Sequence, residues 1–297
     1  AAAEKKPVDF VLYTGDHTSF ADPRTSAADT RFYVQNITDA LVALQRTLEK
    51  QQNRTVPAYP MLGNHDSYPA FQFPPRGPFH AYDSAAECWA RLLPASALAT
   101  TKSGMYYTAL LRPGLRLVVF NSLVYYSHNK MVNTSDEDPG GHLAWLRTTL
   151  DRARTQGERV YLASHIPPGY DELDVQQQNH AELNDRLVRA LAPYHAGPVV
   201  AGFYGHNHIN SFKILRNRDG SGASVGFLTS SVAPKPLENP SMTKFVFDLD
   251  APFTVRERIN YYIDIAESNA QGRVVWKTSY STKDSYGLAD CSAASMQ

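Results

Sequence analysis

Short apolar runs alternate with amphipathic stretches along this 297-residue chain. Runs rich in Val, Leu, Ile and Phe that stop at Gly, Pro or Asn are typical of buried strands. They occur at residues 8–16, 56–66, 115–122, 159–169, 197–208, 223–234 and 242–250. Apolar residues at helical spacing predict helices over residues 30–51, 141–156 and 179–195. This alternation predicts an α/β fold with helices on the outer faces of a sheet.

The first predicted helix is amphipathic, and its apolar stripe consists of Ile37, Leu41, Leu44 and Leu48. After the segment "FTVRERINYYIDI" the alternating pattern weakens. We therefore expect residues 1–262 to form one domain that carries the chemistry. Residues 263–297 are expected to form a peripheral C-terminal tail that is helical in part.

Polar side chains follow the carboxyl ends of four predicted strands. These side chains are Asp16, Asn64, His65, Asp66, His165, His206 and His208. Each one alone has a structural explanation, such as a turn, a helix cap or a core histidine. Their occurrence at four strand ends favours a shared site, because ligands bind at that edge of open α/β sheets.

The types of these residues favour metal binding. Carboxylate, amide and imidazole donors without sulfur suit Zn²⁺, Mn²⁺ or Fe, and they do not separate the three. The set is large enough for two ions, which a bridging carboxylate would hold roughly 3.5–4 Å apart. Such a pair activates water and clamps the oxygens of a phosphoryl group.

The charge composition bears on which classes of ligand the protein could bind. Lys and Arg together number 29, as do Asp and Glu, so no charge excess indicates binding to nucleic acid or to an anionic membrane. No apolar run approaches the ~20 residues of a membrane span. Three sequons, at Asn36, Asn53 and Asn133, favour a secreted glycoprotein. Cys88 and Cys291 are open to pairing, to remaining free, or to bonding with another segment.

Several stretches together resemble one enzyme family. They are "YTGDHTSF", "YPMLGNHD", "YLASHIPPGY", "FYGHNHINSF" and "NPSMTKFVFD". In this order they resemble the acid-sphingomyelinase-like phosphodiesterases of the calcineurin-like metallophosphoesterase superfamily, over about residues 8–290. The resemblance implies a sandwich of two mixed β-sheets flanked by helices, with a dinuclear metal site at the carboxyl ends of the strands. It also implies a secreted or lysosome-like compartment.

The resemblance assigns metal-binding roles position by position. Asp16 would bridge two divalent metals, with Zn as the expected metal. Asn64, His165 and His206 would bind the second metal, and His208 would bind the first. A metal-bound hydroxide would attack phosphorus in line with the leaving group.

Further residues have implied roles in proton transfer and substrate binding. His65 would be the general acid that protonates the leaving oxygen, and Asp66 would orient it. The stretch "YYSHNK" places Tyr125, Tyr126 and His128 where they could contact substrate, although a surface loop explains them equally well. His17, directly after Asp16, is a further candidate. The expected substrate is a nucleotide-type phosphoester or a phospholipid headgroup diester.

One departure from the family pattern affects the first metal. The family opens with an Asp-x-His motif, and no such motif precedes Asp16 here. We expect an upstream segment of the same protein to supply it, so that the domain in residues 1–262 is incomplete at its N-terminus. The alternatives are a metal-deficient relative that binds a ligand without catalysis, or a polyphosphate hydrolase on the same scaffold.

Overall fold

The computed structural model describes residues 7–18, 26–171, 178–195, 197–216, 220, 223–234 and 238–297. Its strands are β1 (Val11–Tyr13), β2 (Ala58–Pro60), β3 (Tyr107–Arg112), β4 (Leu115–Val119), β5 (Arg159–Ser164), β6 (Val199–Tyr204), β7 (Ser211–Arg216), β8 (Ala223–Leu228), β9 (Ser241–Phe247), β10 (Val255–Ile263) and β11 (Trp276–Ser281). Its α-helices are α1 (Ala27–Gln52), α2 (His80–Cys88), α3 (Ala95–Gly104), α4 (His142–Thr155), α5 (Ala181–Leu191), α6 (Ile265–Gln271) and α7 (Thr282–Tyr286). Within these ranges no helix is long and apolar enough to cross a membrane.

A six-stranded mixed sheet forms the centre of the fold, in the order β3-β4-β5-β6-β8-β7. Strands β4, β5, β6 and β8 are parallel, whereas β3 and β7 run antiparallel to their neighbours. Side chains alternate between the two faces, as in β5, where Tyr161 and Ala163 enter one core and Val160 and Leu162 the other. Because β4, β5 and β6 are parallel, their carboxyl ends meet at one edge of the sheet.

A second layer packs on one face of this sheet. It consists of the parallel pair β1-β2 and the antiparallel sheet β11-β10-β9. Phe245 of β9 contacts Phe203 of β6 with ring centroids 4.9 Å apart, and Phe10 contacts Phe247 at 5.7 Å. The α/β prediction is confirmed, but the second layer is two separate sheets. In the described part of the chain, no strand pairs with the outer edge of β1 or of β9.

Helices α4 and α5 cover the other face of the central sheet. The predicted helix over residues 141–156 is confirmed as α4, and Leu143, Leu146 and Leu150 lie in the core against β4 and β5. Helix α5 adds Leu183 and Leu187 to the same core. The central sheet is thus covered on both faces, and its strand ends are left to form a site.

The helix predicted over residues 30–51 is confirmed as α1, but part of its predicted stripe is wrong. Leu44 is 43% exposed. Thr38 is buried instead, beside Val34 and Leu41. The Thr38 hydroxyl donates to the Val34 carbonyl 2.7 Å away, and this bond makes burial of a polar residue tolerable. Counting apolar residues alone misses such a position.

Residues 263–297 continue the sheet that β9 and β10 begin. Strand β11 pairs antiparallel with β10, and the Cys291 amide donates to the Val255 carbonyl at 2.8 Å. Strand β10 had no sequence prediction because charged and apolar residues are mixed in it.

Cys88 and Cys291 are both buried free thiols, and burial raises the pKa of each.

Candidate metal centre

Four side chains from four loops converge at the strand ends. The amide oxygen of Asn64, after β2, lies 2.8 Å from Nε2 of His165 and 2.8 Å from Nδ1 of His206. The Oδ2 atom of Asp16, after β1, lies 3.4 Å from the same His165 nitrogen. Two donors about 2.1 Å from one ion are roughly 3–3.5 Å apart. The three measured distances, 2.8, 2.8 and 3.4 Å, are close to this spacing, so the four side chains could become ligands of one metal ion with small shifts of the 2.8 Å pairs.

His208 also approaches Asp16. Its Nε2 atom is 4.0 Å from Asp16 Oδ2, the oxygen that lies 3.4 Å from His165 Nε2, so one carboxylate oxygen is near both histidines. Within the described ranges, no three His, Cys, Asp or Glu side chains by themselves form a group that could hold a metal ion. The convergence thus depends on the Asn64 amide oxygen.

The backbone at this edge is unusual. Asp16, His206 and His208 adopt φ values of 60°, 69° and 63°, in the left-handed region that non-glycine residues rarely occupy. Such conformations are found where the surroundings force them, often at functional sites. A Cβ atom on Gly63 would lie 2.0 Å from Asp16 Oδ1, so only glycine permits this approach.

Hydrogen bonding and burial prepare two of the imidazoles as ligands. The Nδ1 atom of His165 lies 2.6 Å from the Thr14 carbonyl, which can only accept, so Nδ1 carries the proton of the neutral ring and Nε2 is the atom left to bind a metal. Burial lowers the pKa of His206 to about 3, which keeps this ring neutral. Burial alone would raise the pKa of Asp16, but the neighbouring His165 and His208 hold it well below its usual range.

Asp66 is fully buried and ties two loops together. Its Oδ1 atom accepts from the backbone amides of His17 at 2.7 Å and Thr18 at 2.9 Å. Its Oδ2 atom accepts from Gly63 N and from the His17 ring, each at 2.8 Å. His17 itself is buried against Tyr13 and Trp89. Through its backbone and ring bonds to Asp66, His17 helps to hold the loops after β1 and β2 together.

His65 lies at the edge of the cluster and is partly exposed. Its backbone amide donates to Asp16 Oδ1 at 3.1 Å. Its ring meets that of Phe71 edge-on, with centroids 5.0 Å apart. Burial lowers the pKa of His65, while the carboxylates of Asp16 and Asp66 oppose that effect.

Phe71, Tyr126 and His128 form a row of aromatic rings beside the cluster, called the aromatic wall below. The Phe71 ring contacts Tyr126 at 5.8 Å and His128 at 5.9 Å, and Tyr126 contacts His206 at 5.3 Å. Tyr125, in contrast, is only 1% exposed and packs in the core beneath α4. Phe71 was missed by the sequence analysis, because nothing in the local pattern separates it from the core residue Phe73.

A buried polar network holds the loop after β6. The Gln178 amide donates to Asn207 Oδ1 at 2.9 Å and to Asp171 Oδ2 at 2.8 Å. Asn207 Nδ2 donates to the same Asp171 oxygen at 3.1 Å. Asn207 stands between the two histidines of the loop, so this network fixes their positions. The sequence analysis missed it, since Asp171 and Gln178 belong to no strand or helix.

Comparison with known proteins agrees with this arrangement. The model of the calcineurin-like phosphoesterase family matches residues 1–210. The chain belongs to this family. The predicted metallophosphoesterase fold and the resemblance to acid-sphingomyelinase-like phosphodiesterases are therefore confirmed.

Two relatives within the family illustrate the similarity. The human acid sphingomyelinase-like phosphodiesterase 3b is 32% identical over 308 residues, which cover 97% of this chain and 64% of the relative. A human cyclic GMP-AMP phosphodiesterase is 28% identical over 97% of this chain and 63% of its own length. The chain thus spans slightly less than two thirds of the length of these relatives.

The solved structure of PhoD aligns with this chain with a TM-score of 0.50 and 10% sequence identity. The alignment covers 93% of this chain and 67% of the PhoD chain, and it supports the fold alone.

Proposed function

We propose that this chain hydrolyses phosphoric ester bonds with the help of two divalent metal ions. The observation that carries the proposal is the convergence of His165 and His206 on the Asn64 oxygen, with Asp16 beside His165. These donors suit Zn²⁺, with Mn²⁺ and Fe as alternatives. When bound, such a metal pair supplies a nucleophile from water and neutralises charge on the phosphoryl group.

Within this proposal, the remaining residues of the site have distinct tasks. Asp16 is the shared ligand, with Asn64, His165 and His206 on one side and His208 on the other. His65 donates a proton from its ring to the departing oxygen, because it borders the cluster and stays partly exposed. Asp66 acts indirectly, because its hydrogen bonds hold in place the loops that carry Asp16 and Asn64.

The substrate side of the site is the aromatic wall. Phe71, Tyr126 and His128 flank the metal centre and would contact the group carried by phosphorus. His17 and Tyr125 are buried, so we assign them supporting tasks. The substrate is a nucleotide-type phosphoester or a phospholipid headgroup diester. Relatives named as a cyclic GMP-AMP phosphodiesterase and, from Bos taurus, a sphingomyelin phosphodiesterase support both options.

We also propose that a strand from an upstream segment of the same protein completes the first metal site. Among the described residues, Asp16 and His208 are the two candidates for that metal. Among the residues that the structure describes, no strand pairs with the outer edges of β1 and β9, and Phe10 and Phe247 contact each other between the two sheets. A strand seated there would join both sheets and bring its side chains to the same edge.

We further propose a secreted or lysosome-like location and glycosylation at the three sequons. Asn36, Asn53 and Asn133 are exposed, on α1, at its C-terminal end and in a loop, respectively. Exposure of the asparagine side chain is required for attachment of a glycan. Mass spectrometry before and after glycosidase treatment of the protein secreted by cultured cells tests both points.

The test of the catalytic proposal combines metal analysis with turnover. Protein purified without chelator is analysed for metal per chain and assayed with bis-p-nitrophenyl phosphate. We expect bound divalent metal and turnover that is lost in His65→Ala by a factor of about 10²–10⁴. The control His80→Ala, a histidine on α2 outside the cluster, keeps the parent rate. Absence of metal and of turnover would instead favour the metal-deficient, ligand-binding relative.

A further inference from the structure

Phe71 lies in the loop after β2, in a backbone conformation that is unusual for an aromatic residue. Its φ angle is 72°, in the left-handed region that glycine and asparagine occupy more easily than other residues. Either of those residues would serve if the turn alone were needed. Strained conformations persist where the surroundings and the function require them, so phenylalanine at this position indicates a task for its ring.

The ring of Phe71 packs against the ring of His65. The two centroids are 5.0 Å apart and the ring planes meet at 74°, which is the edge-to-face arrangement that aromatic pairs prefer. The backbone of His65 is held separately, because its amide donates to Asp16 Oδ1 at 3.1 Å. The contact with Phe71 therefore restricts the direction of a ring whose backbone is already in place.

Phe71 is itself held from two sides. On one side, its backbone amide donates to the carbonyl oxygen of Asn64 at 2.9 Å. On the other side, its neighbour Gln72 makes two bonds to the segment after β4. The side-chain oxygen of Gln72 accepts from the Lys130 amide at 2.9 Å, and the side-chain nitrogen donates to the His128 carbonyl at 3.0 Å.

The same two segments are joined again in the protein interior. Asn129 is fully buried, and its side-chain nitrogen donates to the Phe73 carbonyl at 2.7 Å and to the Leu123 carbonyl at 3.1 Å. Breaking such bonds would leave buried polar groups unsatisfied, so the two segments are held firmly together. The loop that carries Phe71 is thereby fixed close to the metal centre.

We propose that Phe71 is a positioning residue that directs the ring of His65 toward the leaving oxygen. The inference rests on the phosphoester hydrolysis and the proton donation by His65 proposed above. As the bond between phosphorus and the leaving oxygen breaks, that oxygen keeps the electron pair and takes a proton from the His65 ring. Water supplies the oxygen that phosphorus gains. The direction of the ring matters most when the leaving oxygen is strongly basic.

Two methyl phosphodiesters that differ only in the leaving group test this role. One releases p-nitrophenolate, which departs readily without a proton, and the other releases phenolate, whose conjugate acid has a pKa near that of tyrosine, about 10. Phe71→Asn suits the left-handed backbone and removes the ring. We expect it to lower kcat/KM at least about tenfold for methyl phenyl phosphate and less than about threefold for methyl p-nitrophenyl phosphate.

Three further variants separate positioning from other effects. Phe71→Tyr keeps an aromatic ring and should retain both rates. Tyr68→Asn makes a similar change at an exposed aromatic residue of the same loop and should leave the ratio of the two rates unchanged. Gln72→Leu breaks the bonds to the segment after β4 and should shift the ratio in the same direction as Phe71→Asn, so the test does not depend on one variant. Equal losses for both diesters in Phe71→Asn and in Gln72→Leu would overturn the proposal.

A measurement without substrate separates this inference from the catalytic proposal. Diethyl pyrocarbonate modifies accessible imidazoles, and peptide mass spectrometry follows His65 together with His80 as an internal reference. We expect His65 to react at least about threefold faster in Phe71→Asn than in the parent protein, because loss of the packed ring frees the imidazole, with His80 unchanged. Equal rates at His65 in the two proteins would show that Phe71 does not hold this ring. If the parent protein hydrolyses neither diester, the proposed hydrolysis fails, and the modification rates still decide whether Phe71 holds His65.

Discussion

The Nδ1 atom of His165 lies 2.6 Å from the carbonyl oxygen of Thr14, and this contact decides which ring nitrogen faces Asp16. Thr14 directly follows β1, and His165 directly follows β5. A backbone carbonyl of one layer thus sets the tautomer of an imidazole in the other. The chemistry of this centre depends on how the two sheets are packed as well as on the residues at its edge.

We expect Asn64→Ala to remove one metal ion per chain from the protein. The Asn64 oxygen is the atom that His165 and His206 both approach, so its loss leaves their nitrogens without the third donor. Elemental analysis of the variant measures this directly. Asn64→Asp restores an oxygen at the same position and is expected to keep the ion. If Asn64→Ala retains the metal content of the parent, Asn64 is not a ligand.

Asp66→Asn is expected to destabilise the fold by about 2–4 kcal/mol, because it leaves buried donors unsatisfied. The Asp66 carboxylate accepts four hydrogen bonds, and an amide nitrogen in place of one oxygen cannot accept those from Gly63 N and the His17 ring. Urea unfolding measures the change. Asp185→Asn weakens an exposed pair with Arg189 and should cost about 0.5 kcal/mol or less. Equal losses in both variants would contradict the role assigned to Asp66.

Acidification should destabilise the fold through His195. Burial lowers the pKa of His195 to about 4, below the value of about 6.5 expected in the unfolded chain. The folded state therefore prefers neutral His195. The resulting stabilisation is fully present above pH 6.5 and is lost as the pH falls toward 4, by about 3 kcal/mol at most.

The variant His195→Gln isolates this contribution. Glutamine does not titrate and can still bond to the Ser224 hydroxyl, which lies 2.8 Å from His195 Nδ1. We expect the difference in unfolding free energy between parent and variant to shrink as the pH falls from 7.5 to 4.5. Parallel pH profiles for the two proteins would show that His195 does not contribute. Matched urea titrations at several pH values provide the comparison.

The two cysteines should react with a thiol reagent only after unfolding. Cys88 and Cys291 are 3% and 2% exposed, and burial raises the pKa of both thiols, which disfavours the reactive thiolate. We expect little colour with dithionitrobenzoate in buffer and two equivalents in 6 M guanidinium. No reaction in guanidinium would show a disulfide and contradict the free thiols of this structure.

The sequence predicted the strand-end residues because each sits beside a break in an apolar run. It predicted the α/β core from the alternation of short apolar runs with amphipathic stretches. It did not predict Phe71 or the contact of Asp171 with Gln178, because these depend on packing between distant loops. Strand β11 was also not predicted, because its residues are mostly exposed and its polar and apolar residues do not alternate between a buried and an exposed face.

The separation of the metal-centre donors along the chain has a consequence for folding. Asn64 and His206 are 142 residues apart, and Thr14 and His165 are 151 residues apart. Closing loops of this length costs conformational entropy, which slows the formation of contacts between such distant segments. We therefore expect the proposed ligands of one ion to come together late in folding, so that the time course of metal binding during refolding would report on a late step of assembly.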